Sequence, residues 1–590
     1  MIDTLRRPAD VAARVFSWTV ALLLVTGLGG ATWIGVRAGL AADHLRSAQA
    51  TVAAATAVDD PSAAMASLAT IGDDTAAAAA LTGDPVWRAA THLPWVGPQL
   101  AAVSRSAAAL DDVAAHAFAP LAASASDLSP AALTPVDGTI DVARIAAVEP
   151  AAALAAAALR RAADDLSGID RAPLLGDLAR TVEQSTALLI RAADSADSLH
   201  RATEIVPTMF GADGPRSYLV LFQNNAEWRS LGGVVGAVAQ VDTAGGRISL
   251  VSQASSSDFT DVAEAGPVLP LTDEDRALFD TRPARFVQNS TQIPDFSVGA
   301  PLAREMWRRL HGVSVDGVVT LDPVTLSYLL RATGPVALPS GEELTADNAV
   351  SLLLDEVYRR YDDPDVQDAF FQSAATAVFQ SLAAGRADPT ALISAVTRAG
   401  EERRLLVWNA DAETQAILDG TPLQGALPAT DATRSMFGVY LNDGTGSKMD
   451  YYLHPEVETA WCGPDRASLH VELRSDAPDP ASLPAYVTGG GEYGVPVGDA
   501  LTGVYVYLPE GARLLDRQTG GDTAAAPGFA GGTAHGREVV KWSVTLSPGQ
   551  RAQLDLEVQL PRTAELGAHA TPTRDPSEIP RGGECRFPRG

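Results

Sequence analysis

The residues best suited to bind a ligand stand in QNNAEWRSLGG (223–233), directly after a hydrophobic segment that is typical of a buried strand. The candidate ligand-binding residues here are Gln223, Asn224, Asn225 and Glu227, and Arg229 is a candidate catalytic residue. An arginine can hold an anion in its planar fork of donors, amides can read hydroxyl groups, and two glycines let a ligand approach the backbone. The pattern fits a phosphate- or sugar-bearing ligand. It fits equally well a polar β-turn whose amides satisfy neighbouring backbone groups.

Two further polar regions supply candidate site residues. They are Asn289 in QNSTQIPDF (288–296), Asp258 at the end of a serine run, and Arg359 and Arg360 in DEVYRRYDDPDVQDAFFQ (355–372). Acids and arginines together can hold a hard cation and a pyrophosphate. Asp258 is therefore a candidate metal ligand and, with Arg359, a candidate catalytic residue, whereas Asn289 and Arg360 are candidate ligand-binding residues. For the last run we favour the simpler interpretation of a solvated corner between two helices.

Other kinds of chemistry find little support in the sequence. It lacks His-Glu-x-x-His, a Walker loop and a Gly-x-Ser-x-Gly elbow, and its 9 histidines are scattered. A histidine-based triad or metal cage is therefore not predicted. The net charge of −28 repels phosphate backbones, so nucleic acid is excluded as a partner.

One segment near the N-terminus is long and apolar enough to cross a membrane. The uncharged stretch 15–36 would form a helix about 33 Å long, which spans a bilayer. Arg6, Arg7 and Arg14 precede it, so residues 1–14 are expected in the cytoplasm and the bulk of the chain outside the cell. A cleaved signal peptide is the alternative, but its apolar core would be unusually long. We predict a single-pass membrane anchor.

The sequence has two cysteines, Cys462 and Cys585, both in the part predicted to be exported. A pair of cysteines outside the cell can form a disulfide, and no Cys-x-x-Cys pattern competes for them. We predict that they are bonded, with two free thiols as the alternative.

The elements that must position these residues fall into regions of different pattern. Residues 41–205 are rich in alanine with apolar positions near a period of 3.6, broken at 93–97 and around Ser129-Pro130. This predicts a helical stalk or bundle that acts as a spacer. A partner-binding coiled coil is the alternative, although heptads are not sustained.

Residues 206–432 mix strand and helix patterns and predict a central α/β domain. The predicted strands are 217–223, 234–242, 247–253 and 315–322; the predicted helices are 298–311, one beginning at Pro323, and 346–361 capped by Thr345; a long loop fills 254–296.

Residues 433–561 alternate apolar and polar residues between Gly/Pro-rich turns and predict a β-sandwich of six or seven antiparallel strands. An irregular tail is expected over 562–590. The predicted fold class is multidomain α+β: a transmembrane helix, an alanine-rich helical part, a central α/β domain and a C-terminal antiparallel β-sandwich.

Four stretches of the sequence resemble a bacterial family of actinobacterial type catalogued as domain of unknown function 4012. They are SYLVLFQNNAEWRSLGGVVG, NSTQIPDF, VDGVVTLDPVTLSYLLRATGPV and NDGTGSKMDYYLHPEV. The resemblance covers roughly residues 205–460, and the apolar N-terminal segment and the Leu-Pro-Trp-Val-Gly run before it also fit. Because this family has no assigned activity, the resemblance implies architecture more than function.

The order of elements is more remotely similar to the LytR-CpsA-Psr family, whose members are anchored by one N-terminal helix. They transfer glycopolymers from a polyprenyl-pyrophosphate lipid to the cell wall with arginines and an aspartate-bound Mg²⁺. The resemblance implies that Arg229 and Arg359 or Arg360 bind pyrophosphate, that Asp258 holds the metal, and that Asn289 is the loop asparagine. The sequence departs from that family at Leu231-Gly232, Ser256-Ser257, Asp368 and Phe371, where the family carries other residues.

Two hypotheses about function follow. In the first, the protein is a membrane-anchored cell-envelope protein that binds a lipid-linked phosphorylated glycan. If it is an enzyme, it also transfers this glycan, with Mg²⁺ as the cofactor. In the second, the protein is a non-catalytic envelope scaffold or partner-binding protein. The expected partners are the cell membrane through residues 15–36 and a polyprenyl-phosphate-linked glycan or cell-wall polymer.

Overall fold

The computed structural model describes residues 6–55, 71–124, 126–127, 134–136, 138–385, 387–522, 528–575 and 582–587. The chain forms two compact units, the first from residues 1–133 and 141–208 and the second from 134–140 and 209–590. In the described residues the first unit consists of helices and turns, and the second combines helices with several sheets. The predicted mixed α+β class is therefore confirmed.

The first unit is built from alanine-rich helices. They are α1 (Arg6–Ala55), α2 (Ile71–Thr82), α3 (Pro85–Ala90), α4 (Val96–Val113), α5 (Ala119–Ala123), α6 (Val142–Ser167) and α7 (Gly176–Met209), with a π-helical turn (Ala114–Phe118) between α4 and α5. Alanine favours helix formation, and its small side chain lets helices approach closely. Ala155 and Ala158 of α6 are fully buried in this way. The predicted break at 93–97 separates α3 from α4, whereas the one around Ser129-Pro130 lies outside the described residues.

The predicted membrane span, 15–36, lies within α1, although the side chains of 15–17 and 20–24 lie outside the described part of the structure. Among the described residues one helix, α6, is long and apolar enough to cross a membrane. It is not at the N-terminus. The buried alanines of α6 pack in the core of the first unit. A core helix rich in alanine can thus have the length and the apolar composition of a membrane span.

The second unit contains the following elements. Its strands are β1 (Arg216–Arg229), β2 (Gly232–Ala244), β3 (Arg247–Ser255), β4 (Gly317–Leu321), β5 (Val336–Ala337), β6 (Glu343–Leu344), β7 (Val407–Asn409), β8 (Arg434–Asp443), β9 (Leu453–Trp461), β10 (Arg466–Ser475), β11 (Ala500–Tyr507), β12 (Arg513–Gly521), β13 (Gly528–Ala534), β14 (Arg537–Leu546), β15 (Arg551–Gln559) and β16 (Glu565–Ala570). Its α-helices are α8 (Thr260–Glu264), α9 (Asp273–Phe279), α10 (Phe296–His311), α11 (Pro323–Thr333), α12 (Ala349–Ser351), α13 (Val357–Arg360), α14 (Pro364–Ala383), α15 (Pro389–Glu401), α16 (Ala412–Ile417) and α17 (Ala485–Thr488).

A five-stranded sheet of order β3-β2-β1-β4-β7 forms the first part of this unit. β1 pairs antiparallel with β2 and parallel with β4, so the chain crosses over between β1 and β4. The three predicted strands between 217 and 253 are present, but β1 continues through the polar motif to Arg229. The segment 254–296, predicted as a loop, contains short helices. Ser255 and Thr272 each cap one of these helices with a side-chain oxygen.

Two further sheets have the orders β12-β15-β10-β9 and β13-β14-β11-β8-β16, and residues from both share one hydrophobic cluster. The strands predicted from the alternation over 433–561 correspond to β8, β9, β10, β11, β14 and β15. Three strands of these two sheets were not predicted. β12 and β13 are rich in glycine and mostly exposed, so they lack an apolar alternation. β16 lies in the segment expected to be irregular and pairs parallel with β8.

The predicted disulfide between Cys462 and Cys585 is present, with a Cα–Cα distance of 5.2 Å. It joins the residue after β9 to segment 582–587. Beside it, the Gly583 amide donates to the Thr459 carbonyl (3.1 Å), and Arg586 pairs with Glu458 (3.2 Å). The bridge therefore fixes segment 582–587 to the edge strand β9.

Replacing both cysteines in C462A/C585A should lower the free energy of unfolding of the second unit by about 4 kcal/mol, because the bridge closes a long loop. Denaturant unfolding monitored by tryptophan fluorescence measures the change. Wild-type protein unfolded with a reductant should lose a similar amount. An unchanged midpoint in both samples would contradict the prediction.

Candidate functional site

Five charged residues, Glu227, Arg229, Asp443, Lys448 and Asp450, form a buried charge cluster where the end of β1 meets β8 and the 3-10 turn Met449–Tyr452. Four of them are buried as whole residues, and the Glu227 side chain is 14% exposed. Charges removed from water require partners close by. The cluster is therefore organised by its internal pairs.

Glu227 lies between the two cationic side chains. Its Oε2 accepts a hydrogen bond from Lys448 Nζ at 2.5 Å, and its Oε1 is 3.5 Å from Arg229 Nη2. Burial opposes ionisation of Glu227, but the charges of Lys448 and Arg229 outweigh this effect and hold its pKa below the ordinary value. Burial likewise opposes the charge on Lys448, but Glu227 raises the pKa of the ammonium group. Both groups are therefore ionised at neutral pH.

Two tyrosine rings complete the surroundings of Lys448. Its Nζ lies 5.5 Å from the centre of the Tyr358 ring and 5.4 Å from that of Tyr486. The two rings stack with centroids 5.8 Å apart, and the Asn224 amide donates to the Tyr358 hydroxyl. An ammonium group near aromatic faces gains cation–π attraction that grows as water is excluded. The rings thus stabilise the buried ammonium without adding a charge.

The two aspartates are buried beside the negative charge of Glu227. Burial, with the nearby charge of Glu227, raises the pKa of Asp443 to about 6. Burial and the charge of Asp443 raise the pKa of Asp450 well above its usual value. Asp450 Oδ2 accepts from the Trp228 amide at 2.7 Å, and its Oδ1 is buried without a hydrogen-bond partner among the described residues. Asp450 is therefore expected to hold a proton at neutral pH.

The same motif connects the first sheet to the later strands through neutral contacts. The Ser230 amide donates to Asn442 Oδ1 (3.2 Å), Asn442 Nδ2 donates to Ser230 Oγ (2.9 Å), and Thr571 Oγ1 donates to the Ser230 carbonyl (3.0 Å). Trp228 is fully buried in one hydrophobic cluster with Phe437 of β8 and other residues of the later sheets. We call residues 224–230 the joint, since they fasten β1 to elements more than 200 residues further along the chain.

Gln223 and Asn225 each donate a hydrogen bond inside the protein, whereas their buried amide oxygens have no partner among the described residues. Gln223 Nε2 donates to the Leu231 carbonyl (2.9 Å), and Asn225 Nδ2 donates to the Pro572 carbonyl (3.1 Å). A Cβ on Gly233 would lie 2.0 Å from the Asn224 carbonyl oxygen. Gly233 thus allows β1 and β2 to approach each other, a role that requires no ligand.

The guanidinium of Arg229 is also engaged by the protein. Its Nε donates to Asn289 Oδ1 (2.8 Å), its Nη1 donates to the Trp228 carbonyl (2.7 Å), and its Nη2 faces Glu227. Arg229 and Asn289, two candidates separated by 60 positions, are therefore brought together by the fold. This contact holds the Arg229 guanidinium within the joint, where it is buried.

Asp258 does not join this group. Its Oδ2 accepts from the Ser255 amide at 2.8 Å and closes a capping box at the start of a 3-10 helix. In the described residues no group of three histidine, cysteine or acidic side chains could hold a metal ion. Mg²⁺ binding by Asp258 stays a prediction.

Arg359 and Arg360 lie at the corner between α13 and α14, as expected. Arg359 pairs with Asp355 (2.8 Å) and donates to the Tyr452 hydroxyl (2.7 Å), whereas Arg360 pairs with Glu342 (2.6 Å). Both arginine side chains are part-exposed, and so is Glu342, whereas the Asp355 side chain is only 14% exposed. The arrangement is that of a corner with surface ion pairs.

A polar cavity of about 260 Å³ lies elsewhere in the second unit. Its lining includes Glu401, Arg403 and His569, and none of the sequence-predicted site residues contributes to it. Burial, with repulsion from Arg403, lowers the pKa of His569 to about 3, so this histidine is neutral.

Sequence reasoning missed Lys448, Asp443 and Asp450. One signal was available: Lys448 is one of only two lysines in the chain, the other being Lys541. A lysine retained where arginine is otherwise used throughout marks a place where a compact charge is needed. Local sequence gave no indication that its partner is Glu227.

The fold and the site define a mixed α+β protein with a buried ionic joint. Residues 213–358 match the model of a family described as protein of unknown function (DUF4012). This segment includes the joint but is shorter than half of the chain, and the match adds no support to the resemblance to the LytR-CpsA-Psr family. No curated protein and no solved structure matches the chain significantly.

The K448M variant should destabilise the second unit by about 3–5 kcal/mol, because it leaves Glu227 buried without its cationic partner. Denaturant unfolding at neutral pH measures the loss. An unfolding midpoint equal to that of the wild type would show that the pair contributes nothing.

D450N is the matched control, since an amide replaces a carboxyl group that is already neutral. At neutral pH it should be at least as stable as the wild type, because only the wild type must bind a proton on folding. A carboxyl group with a raised pKa in the folded state loses stability as the pH rises through that pKa. The variant should therefore gain on the wild type at higher pH, and a difference that does not change with pH would contradict the protonated state.

Proposed function

We propose that the protein is a membrane-anchored, extracytoplasmic envelope protein whose second unit is a non-catalytic scaffold or partner-binding module. One observation carries this choice: the guanidinium of Arg229 is buried, and all three of its nitrogens face protein acceptors. These contacts use three of the five guanidinium N–H donors, and burial of the side chain keeps the other two from a pyrophosphate unless the joint opens. The motif that suggests a ligand site is better explained as the connection between two parts of the fold.

The anchoring part of the proposal draws on α1. Where its side chains are described, large apolar residues of the predicted span are exposed, among them Trp18 (76%), Val25 (70%) and Leu28 (74%). Apolar surface of this extent on an uncovered helix is unfavourable in water and favourable in lipid. Three arginines precede the span, which favours a cytoplasmic N-terminus.

The extracytoplasmic location draws on the cysteines. Both are paired with each other, and disulfides persist in oxidising compartments outside the cytosol. The proposal divides the chain into a membrane span (15–36), an alanine-rich helical spacer (41–205), a central domain (206–432) and a β-sandwich (433–561).

A protease added to intact cells should digest the bulk of the chain and leave a short N-terminal fragment. Immunoblotting with tags at the two ends measures this, and a cytosolic protein that stays intact controls for lysis. Protection of the C-terminal tag would contradict the proposed topology.

The alternative, binding or transfer of a polyprenyl-phosphate-linked glycan with Mg²⁺, can be separated from the scaffold by R359A. Arg359 is part-exposed, and its surface ion pair contributes little, so the variant should fold like the wild type. We expect the full chain in nanodiscs with Mg²⁺ to titrate a fluorescent polyprenyl phosphate identically in wild type and R359A.

The matched control is R308A, which removes another part-exposed arginine that pairs with a glutamate at the end of α10. Saturable binding that R359A weakens at least tenfold, with R308A and the circular dichroism unchanged, would overturn the proposed scaffold role. This result would favour the glycan-lipid hypothesis.

A further inference from the structure

The turn between α3 and α4 exposes apolar side chains in the otherwise alanine-rich first unit. Trp95 is 90% exposed, and Leu93 and Val96 beside it are 52% and 50% exposed. Trp95 also has a φ of 67°, in the left-handed region that favours glycine. A large aromatic residue in such a backbone conformation is rare, and such positions concentrate where a side chain is presented for a function.

The turn lies beside one particular level of α1. Trp87 of α3 is fully buried and packs with Ile34 and Ala38 of α1. Arg37 of α1 pairs with Asp84, the residue that caps α3, at 2.8 Å. This level is where the predicted span 15–36 ends.

The directions of the neighbouring helices place the turn at the end of the unit nearest the span. α2 runs antiparallel to α1, since His44 contacts Asp74 (2.7 Å) and Arg37 donates to the carbonyl of Leu81 (3.0 Å). After the turn, α4 leads back: its Leu100 packs at the level of Ile34, and its Ala107 packs with Ala41. Residues 91–97 are thus the tip of a helical hairpin that points toward the span.

A second loop lies at the same end. Gln99, just after the turn, donates to the Pro173 carbonyl (2.8 Å) and accepts from the Leu175 amide (3.0 Å). Leu175, in the loop between α6 and α7, is 70% exposed. Leu93, Trp95, Val96 and Leu175 therefore form one apolar patch, which we call the membrane-proximal tip.

We infer that the membrane-proximal tip inserts into the interfacial region of the lipid leaflet from which α1 emerges, giving the protein a second contact with the membrane. The inference rests on the proposed anchoring through 15–36. Tryptophan is favoured at the boundary between headgroups and acyl chains, because its ring is apolar and its N–H stays near water. The span brings that boundary to residues 34–38, so a lipid surface is the occupant that reaches the tip without any further partner.

The inference is tested with the full chain in nanodiscs, using single-cysteine variants labelled with an environment-sensitive fluorophore. The native cysteines are bonded to each other, so unmodified protein is the unlabelled control. Labels on W95C and L175C should be quenched by lipids that carry a nitroxide near the headgroup. The matched control is L188C, since Leu188 is 59% exposed but lies on α7 more than three helical turns beyond Leu175.

A label on W18C reports on the anchor by itself. If W18C is quenched while W95C and L175C behave like L188C, the tip does not touch lipid, and the anchoring stands. If W18C is not quenched, both the anchoring and the tip insertion fail. The W95C variant removes the tryptophan that is being tested. A further variant therefore carries the label on L175C and the changes L93D and W95D in the tip. Quenching at position 175 should fall at least twofold in this variant if the tip enters the leaflet as a unit.

Discussion

The second unit depends on the ion pair between Glu227 and Lys448, two residues 221 positions apart. Neither charge could be buried alone, because the loss of hydration would cost several kcal/mol. The pair can form only when the end of β1 reaches the turn after β8. It therefore couples the folding of the first sheet to that of the later strands, and Trp228 and Tyr358 fill the hydrophobic cluster that the coupling creates.

This dependence changes how the polar motif is understood. A run of amides, an acid and an arginine is typical of a ligand site when its side chains make no bonds to distant parts of the protein. Here Asn225 and Ser230 reach backbone and side-chain groups of distant segments, and Arg229 reaches Asn289. Buried polar groups that satisfy one another give a fold specificity, since a displaced register would leave several of them unpaired. The motif is thus rich in polar residues because a joint between two layers requires them.

The sequence predicted what local pattern and chemistry determine. The strands β1, β2 and β3 follow from runs of apolar residues. The helix predicted over 298–311 is α10, which ends at His311 just before Gly312, and the two cysteines of the part predicted to be exported form the predicted bond. It could not predict that β1 continues through the polar motif, because the partners that stabilise Glu227 lie far along the chain. For the same reason Lys448 went unrecognised. The exposed strands β12 and β13 carry no alternation, so pairing with β15 and β14 alone defines them.

The first unit achieves its stability differently, and this makes its large side chains informative. Its core is lined mainly by alanines, which contribute little apolar area each and act by letting helices approach. Trp87 and Trp95 stand eight positions apart in this setting. Trp87 is fully buried, and its indole N–H donates to the Leu100 carbonyl (3.1 Å), whereas Trp95 is held outward by its backbone. The core of the first unit contains few large side chains, and an exposed tryptophan does not add to it. The Trp95 ring is therefore best explained by contact with a surface outside the unit.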